Sequence, residues 1–370
     1  MKKVIVFALV IACSMVVPAA AAPTIDCMGC HGSTAPKYPI LGAKLGYEAS
    51  VHSIGGNARY SNAGGCQRCH TNEGFIEYVT MGMDPVAYND YASKTPVPFI
   101  NYPSQPGCFS CHDPHTTGDM SLRTVKQVTL VDGTIYDGGK GNLCASCHQS
   151  RTNIAKAMPT MTAKSLNANW GAHHGPQADV IAGTGGYQFA GKKYTAHTMM
   201  VTDSCVTCHM GQPDGRYGFS PKVGGHSFNM AGNVHEAAVI NMNACLSCHP
   251  DVKQVVGTPL YAIKGKSDYD QNGKIEPIQQ EVQGLLNKFV NKAGKGYLQT
   301  LKPPMYTSDG KWAGPPADAP YKLAHFAALY NYKLVLEDKS LGVHNAIYEI
   351  ELLYDSLQAL DPKFNVSVRP

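Results

Sequence analysis

The sequence predicts a mainly α-helical chain with much irregular loop, its first two thirds organised around bound groups and its last third around long helices. Three observations carry this. A pentapeptide of the form C-x-x-C-H recurs six times. Glycine and proline are abundant, 37 and 24 of 370 residues, and only 16% are charged, so segments such as 57–65 and 94–107 hold too little apolar surface for an ordinary core. After Pro250 cysteine disappears and apolar residues return at helical spacing.

The copies are Cys27, Cys30, His31; Cys66, Cys69, His70; Cys108, Cys111, His112; Cys144, Cys147, His148; Cys205, Cys208, His209; and Cys245, Cys248, His249. Together they use twelve of thirteen cysteines and leave only Cys13. C-x-x-C-H is the attachment signature of c-type haem: the two sulfurs form thioethers with the vinyl groups, and the next residue supplies an imidazole to the iron. Paired C-x-x-C units also suit structural zinc, and cysteines of exported chains commonly form disulfides. Neither explains a histidine directly after every pair. Six covalent haems and a multihaem cytochrome c fold follow, with porphyrin faces taking the place of a core.

Residues 1–22 read as a secretory signal: Met1-Lys2-Lys3, an apolar run from Val4 to Val17, then Pro18 and Ala19–Ala22. Export places the chain in the periplasm, on the outer surface or outside the cell. No later stretch has the apolar length of a membrane span. The formal charge of +4 does not indicate nucleic-acid binding, because six haems bring about twelve propionate carboxyls and turn the balance negative.

Residues 23–250 form the haem region, its motifs spaced too irregularly for a tandem repeat. Val128–Tyr136 predicts a hairpin with Asp132-Gly133 at its turn, and Tyr187–Tyr194 a weaker one around Ala190-Gly191. Residues 251–370 form a helical region. Its apolar stripes are Ile278, Val282, Leu285, Phe289, then Leu323, Phe326, Tyr330, Leu334, then Val343, Ile347, Ile350, Tyr354, Leu357. Such stripes are ordinarily core, and part of one face could serve a homo-oligomer.

The second axial position decides what a haem does. A histidine there saturates the iron for electron transfer, and an open position admits substrate. Nine histidines lie outside the motifs, enough to saturate all six irons. His52, His115, His197, His226, His344 and one of the pair His173 or His174, taken as His174, are the candidates from their local settings. His115 lies too close to His112 to reach the same iron, and His344 would tether the tail to the haem region.

A second site runs from Asp268 to Glu276 in the order of an EF-hand loop. Asp268, Asp270 and Asn272 offer side-chain oxygens, Gly273 the sharp turn, Lys274 a backbone carbonyl and Glu276 an acidic group. Position 12 is Gln279 where glutamate is usual, with Glu281 just beyond. Calcium is one reading and a plain turn capping the next helix is the other.

Four local patterns sit around these motifs: Cys-His-Asp-Pro-His at 111–115, Cys-His-Met at 208–210, Gly-Gly-His at 224–226 and Gly-Val-His-Asn at 342–345. With them the chain resembles the exported multihaem cytochromes of metal-respiring bacteria, and is similar in plan to the pentahaem nitrite reductases and octahaem cytochromes. The resemblance implies haems in close parallel and perpendicular pairs, acting as a wire between redox partner proteins, other cytochromes or quinol-linked donors. The nitrite reductases carry a C-x-x-C-K motif, whereas all six here end in histidine. Electron transfer is the leading expectation. Reduction of a small nitrogen or sulfur oxyanion at one open haem is the second, and a polymeric haem filament the third.

Overall fold

The computed structural model describes residues 40–54, 64–94, 100, 103–195, 201–213, 215 and 220–370. The leader, Cys13, the first motif (Cys27, Cys30, His31) and His197 lie outside the described residues. The chain is mostly helical with much loop. Helices α1 (Ile40–Glu48), α2 (Asn72–Thr80), α3 (Pro85–Lys94) and α4 (Gln177–Ala182) stand among the motifs, and α5 (Ile278–Phe289), α6 (Leu323–Asp338) and α7 (Ala346–Leu360) form the tail. Two small antiparallel hairpins complete the described architecture, β1 (Val128–Thr129) with β2 (Ile135–Tyr136), and β3 (Ala231–Val234) with β4 (Ala237–Ile240).

The tail helices form where the apolar stripes predict them. Pro277 precedes α5, and its fixed φ suits a helix entry. The Asn345 side chain accepts the Tyr348 N–H and so caps α7. Val282, Leu285, Leu286, Phe289, Leu329, Tyr332, Leu353 and Tyr354 meet in the largest apolar cluster. A fully buried side chain of this size contributes about 1.5–3 kcal/mol, so this cluster is the main apolar support among the described residues.

A second cluster joins Ile154, Met158 and Val180 to Tyr330, Leu334, Tyr348 and Leu352, so α6 and α7 also pack on residues that precede the fifth motif. Helix α6 is therefore buried nearly all round. Around the motifs themselves the apolar clusters are small, such as Phe75, Tyr78, Tyr88, Ala92 and Leu143. That scarcity agrees with the composition.

The first predicted hairpin is present, Val128 pairing with Tyr136. The second is not. Residues 187–194 form no strand, because side chains of the tail take their polar groups: Asn331 Oδ1 accepts the Tyr187 N–H, and Asp355 Oδ2 accepts the Tyr194 hydroxyl.

Candidate haem ladder and acidic loop

Every described motif sits on a short helical turn: Gln67–His70, Cys108–Cys111, Asn142–Ala145, Cys205–His209 and Asn243–Leu246. One such turn places residues i and i+3 on the same side, which brings both sulfurs of a motif to one edge. Local hydrogen bonds fix these turns. Asn142, fully buried, accepts the Gly138 N–H at 2.7 Å and donates to the Val125 carbonyl at 3.0 Å. Ser110 Oγ donates to Asn72 Oδ1 at 2.8 Å, tying the third motif to the start of α2.

Four motif histidines each face a second imidazole. The ring centres are 6.0 Å apart for His148 and His52, and 6.2 Å apart for His70 and His173, His112 and His226, and His209 and His344. A metal–imidazole bond of about 2 Å plus roughly 1 Å from nitrogen to ring centre puts two ligands on opposite sides of one metal about 6 Å apart. The chain therefore presents four sites that fit an iron between two histidines. The interplanar angles are 80° and 79° for the first two pairs and 41° for the other two.

Second contacts orient the rings. Nδ1 of His148 donates to Gln177 Oε1 at 3.0 Å, that of His209 to the Phe228 carbonyl at 2.8 Å, that of His112 to the Ser121 carbonyl at 3.3 Å, and that of His344 to Asp338 Oδ1 at 2.7 Å. With Nδ1–H committed, Nε2 keeps the lone pair a metal needs. Burial pushes His52 and His173 down to about 4, and lowers His70, His209 and His226 as well, which favours the neutral, ligating form. Burial opposes charge on both His344 and Asp338, yet each sustains the other. Asp338 is held below the ordinary carboxylate range and His344 above the ordinary imidazole value. Gly46 lets α1 lie on the turn carrying His226, since a Cβ there would stand 3.2 Å from the Ser227 nitrogen.

The motifs also touch one another. Cys147 Sγ donates to the Arg68 carbonyl at 3.8 Å and Cys69 Sγ to the Ser146 carbonyl at 4.0 Å, and Gly141, just before the fourth motif, lies against Cys205, where a Cβ would stand 3.1 Å from the Cys205 nitrogen. Asn241, just before the sixth motif, donates to the Cys208 carbonyl at 3.4 Å. In space the order is second, fourth, fifth, sixth motif, with the fourth in contact on both sides. All ten described cysteines are free.

Of the histidines singled out from sequence, His52, His226 and His344 are thus set opposite motif histidines. At the 173–174 pair it is His173 that faces His70, while His174 Nδ1 lies 2.8 Å from Glu337. The His115 ring packs near Phe109, at 5.3 Å. His235 lies in the β3–β4 turn and His325 Nδ1 accepts the Lys322 N–H. Among the described residues no imidazole stands opposite His249, which is exposed.

In the acidic loop, Asp268, Asp270 and Glu281 bring carboxylate oxygens within 4.8 Å of one another. Asp268 Oδ2 accepts the Gly273 N–H at 2.8 Å, and Glu281 Oε2 accepts the Tyr269 and Asp270 N–H groups. Asn272 and Glu276 are linked by a 2.5 Å hydrogen bond, and the Lys274 N–H donates to Asn272 Oδ1. Burial and the Glu281 charge push Asp270 up to about 6. Gly284 of α5 makes room for the Asp270 carboxylate, because a Cβ there would stand 1.8 Å from Oδ2. Glu281, two residues past the usual last position, is the third acidic group.

No known protein family matches the chain by profile. It is distantly similar to the C-type polyheme cytochromes OmcB and OmcC of Geobacter sulfurreducens. OmcB is 24% identical over 341 residues, covering 80% of this chain and 44% of OmcB, and OmcC is 22% identical over 347 residues, covering 80% and 43%. The chain thus spans less than half the length of these relatives. Two solved structures are similar at low level: the outer cell wall cytochrome OcwA, at TM-score 0.44, 20% identity, 88% of this chain and 50% of that one; and an undecaheme cytochrome from the S-layer of Carboxydothermus ferrireducens, at 0.42, 17%, 88% and 41%. Among the described residues no helix is long and apolar enough to cross a membrane.

Proposed function

We propose that this chain is an exported hexahaem c-type cytochrome that passes electrons between closely packed haems, in the periplasm or towards acceptors outside the cell. The observation that carries the reading is the set of four imidazole pairs at 6.0–6.2 Å, each joining a motif histidine to one remote in sequence. An iron held by two histidines has no coordination site left for substrate, so its business is outer-sphere electron exchange. The polyheme relatives and the leader-like N-terminus support the same reading. On it, reductase chemistry would be confined to the first and sixth haems, and redox proteins are the partners.

Electron spin resonance of the oxidised holo-protein tests it. Each imidazole donates π density along the normal to its plane. Crossed planes leave two iron orbitals nearly equal and give a strongly anisotropic low-spin signal, and planes nearer parallel split them and give a rhombic one. The expected spectrum holds two haems of the first kind, from His52–His148 and His70–His173, and two of the second. Carbon monoxide should leave all four untouched after reduction. A spectrum in which more than two haems are high-spin and bind carbon monoxide sinks the proposal.

The acidic loop is read as a calcium site of Asp268, Asp270, Asn272, Glu276 and Glu281 with the Lys274 carbonyl, rigidifying the start of α5. Calcium should stabilise the protein relative to chelator by roughly 3 kcal/mol at a hundredfold excess over the dissociation constant, seen as a higher melting temperature. Gly284→Ala, which displaces Asp270, should abolish that difference. An identical melting temperature with calcium and with chelator in the unaltered protein returns the loop to a turn.

A further inference from the structure

We infer that Asp338 is a positioning residue that lowers the reduction potential of the haem between His209 and His344. The inference rests on the axial pairing above and extends it from ligation to energetics.

The second contacts at His148, His112, His209 and His344, which serve three of the four pairs, are not equivalent. His148 is held by an amide oxygen, and His112 and His209 by backbone carbonyls, all neutral acceptors. His344 is held by a carboxylate at 2.7 Å whose side chain has no exposed surface. A carboxylate accepting Nδ1–H gives the ring partial imidazolate character, which strengthens its donation to a metal and favours the more highly charged oxidised state. A fixed negative charge in a buried, low-dielectric place acts in the same direction.

The surroundings indicate that the carboxylate is placed for this contact. Asp338 is the last residue of α6, followed by Lys339 in the left-handed region at φ 63°. A helix C-terminus carries negative partial charge, so a buried aspartate there is in the unfavourable position unless a specific partner offsets it. Here His344 is that partner. The segment between them is locked: Asp338 Oδ2 accepts the Ser340 N–H at 3.2 Å, and Ser340 Oγ accepts the His344 N–H at 3.1 Å. Carboxylate and imidazole are thereby built as one unit on the α6–α7 connection. Since the fifth motif stands between the fourth and the sixth, this places a low-potential station inside the series, where it limits how readily electrons cross from one side to the other.

The test is a redox titration of the holo-protein followed by optical and spin-resonance spectra. In the unaltered protein, the haem between His209 and His344 should be one of the two with rhombic signals, since its rings are tilted by 41°. Asp338→Asn keeps an oxygen acceptor and removes the charge, so the potential of one rhombic haem should move upward while the low-spin count is unchanged. Asp338→Glu should restore the lower value. Unmoved potentials in the Asn variant overturn the inference and leave the pairing intact. The pairing itself is read separately from His344→Ala, which should convert one haem to high-spin; if no haem changes spin state, the pairing at this site fails and the inference with it.

Discussion

Replacing both attachment cysteines of the fourth motif, Cys144→Ala with Cys147→Ala, should cost the protein far more than one haem. Cys147 donates to the Arg68 carbonyl of the second motif, Gly141 just before the fourth motif lies against Cys205 of the fifth, and His52 is drawn in from before the second motif to face His148. Asn142, Ala145 and Ser146 have no exposed surface. A void of several hundred cubic ångströms left by a missing porphyrin would cost on the order of 10 kcal/mol at the usual price of cavity volume, comparable with the whole stability of a domain. The same pair of changes in the sixth motif, Cys245→Ala with Cys248→Ala, opens a space at an exposed edge that water fills. Intact mass, which counts haems per chain, separates the two. We expect the sixth-motif variant to carry one haem fewer and to melt nearly as the parent does. The fourth-motif variant should be recovered in low yield with the second and fifth haems depleted as well. A well-folded fourth-motif variant carrying five haems would show that the motifs do not depend on one another.

The sequence made the tail legible because its periodicity is local. Each apolar stripe needs only its own residues to be recognised, and α5, α6 and α7 fall on the predicted stripes. The β1–β2 hairpin was legible for a similar reason, since Asp132-Gly133 supplies its own turn. The β3–β4 hairpin was not. Its turn residues, His235 and Glu236, have φ of 49° and 66°, a conformation normally reserved for glycine or asparagine, so no local signal announces it. The six motifs were equally plain, but the imidazoles that face four of them were not, because an imidazole pair joins segments distant in sequence and its register is set by the whole packing. Position 173–174 shows the limit. Neighbouring histidines point in different directions, and the choice falls to Glu337 on α6, which draws His174 aside while His173, at φ 74°, turns to His70. Likewise Glu281 joins the acidic loop through the pitch of α5, which the spacing of the loop alone does not encode.

Arg369→Ala should destabilise the chain by about 3 kcal/mol, with consequences that reach the fifth motif. Helix α7 buries two acids one turn apart, Glu351 and Asp355. The Arg369 guanidinium bonds Asp355 through Nε and Nη2, both at 2.9 Å, reaches Glu351 at 3.8 Å, donates to the Lys193 carbonyl at 2.8 Å and lies over the Tyr194 ring. Removing it leaves two buried carboxylates with only Lys192, at 3.6 Å from Asp355, as a cation, together with the hydroxyl of Tyr194 and the Thr195 N–H. Arg369→Lys should recover only part of the loss, because an ammonium cannot supply the fork that holds Asp355 and the backbone together. The loss should shrink as the pH falls, since burial raises the Glu351 carboxyl above its ordinary value and protonating it removes part of the uncompensated charge. Salt should matter little, given that Asp355 has almost no exposed side-chain surface. The same contacts fix residues 193–195 against α7, and Asn345, beside His344, donates to the Thr195 carbonyl at 2.9 Å. Loosening this strip therefore loosens the ring that faces His209, so the variant should broaden one rhombic low-spin signal before it unfolds. Urea titration gives the stability and spin resonance the second effect. A loss below about 1 kcal/mol would place Arg369 with ordinary surface ion pairs and cut the link between the end of the chain and the fifth motif.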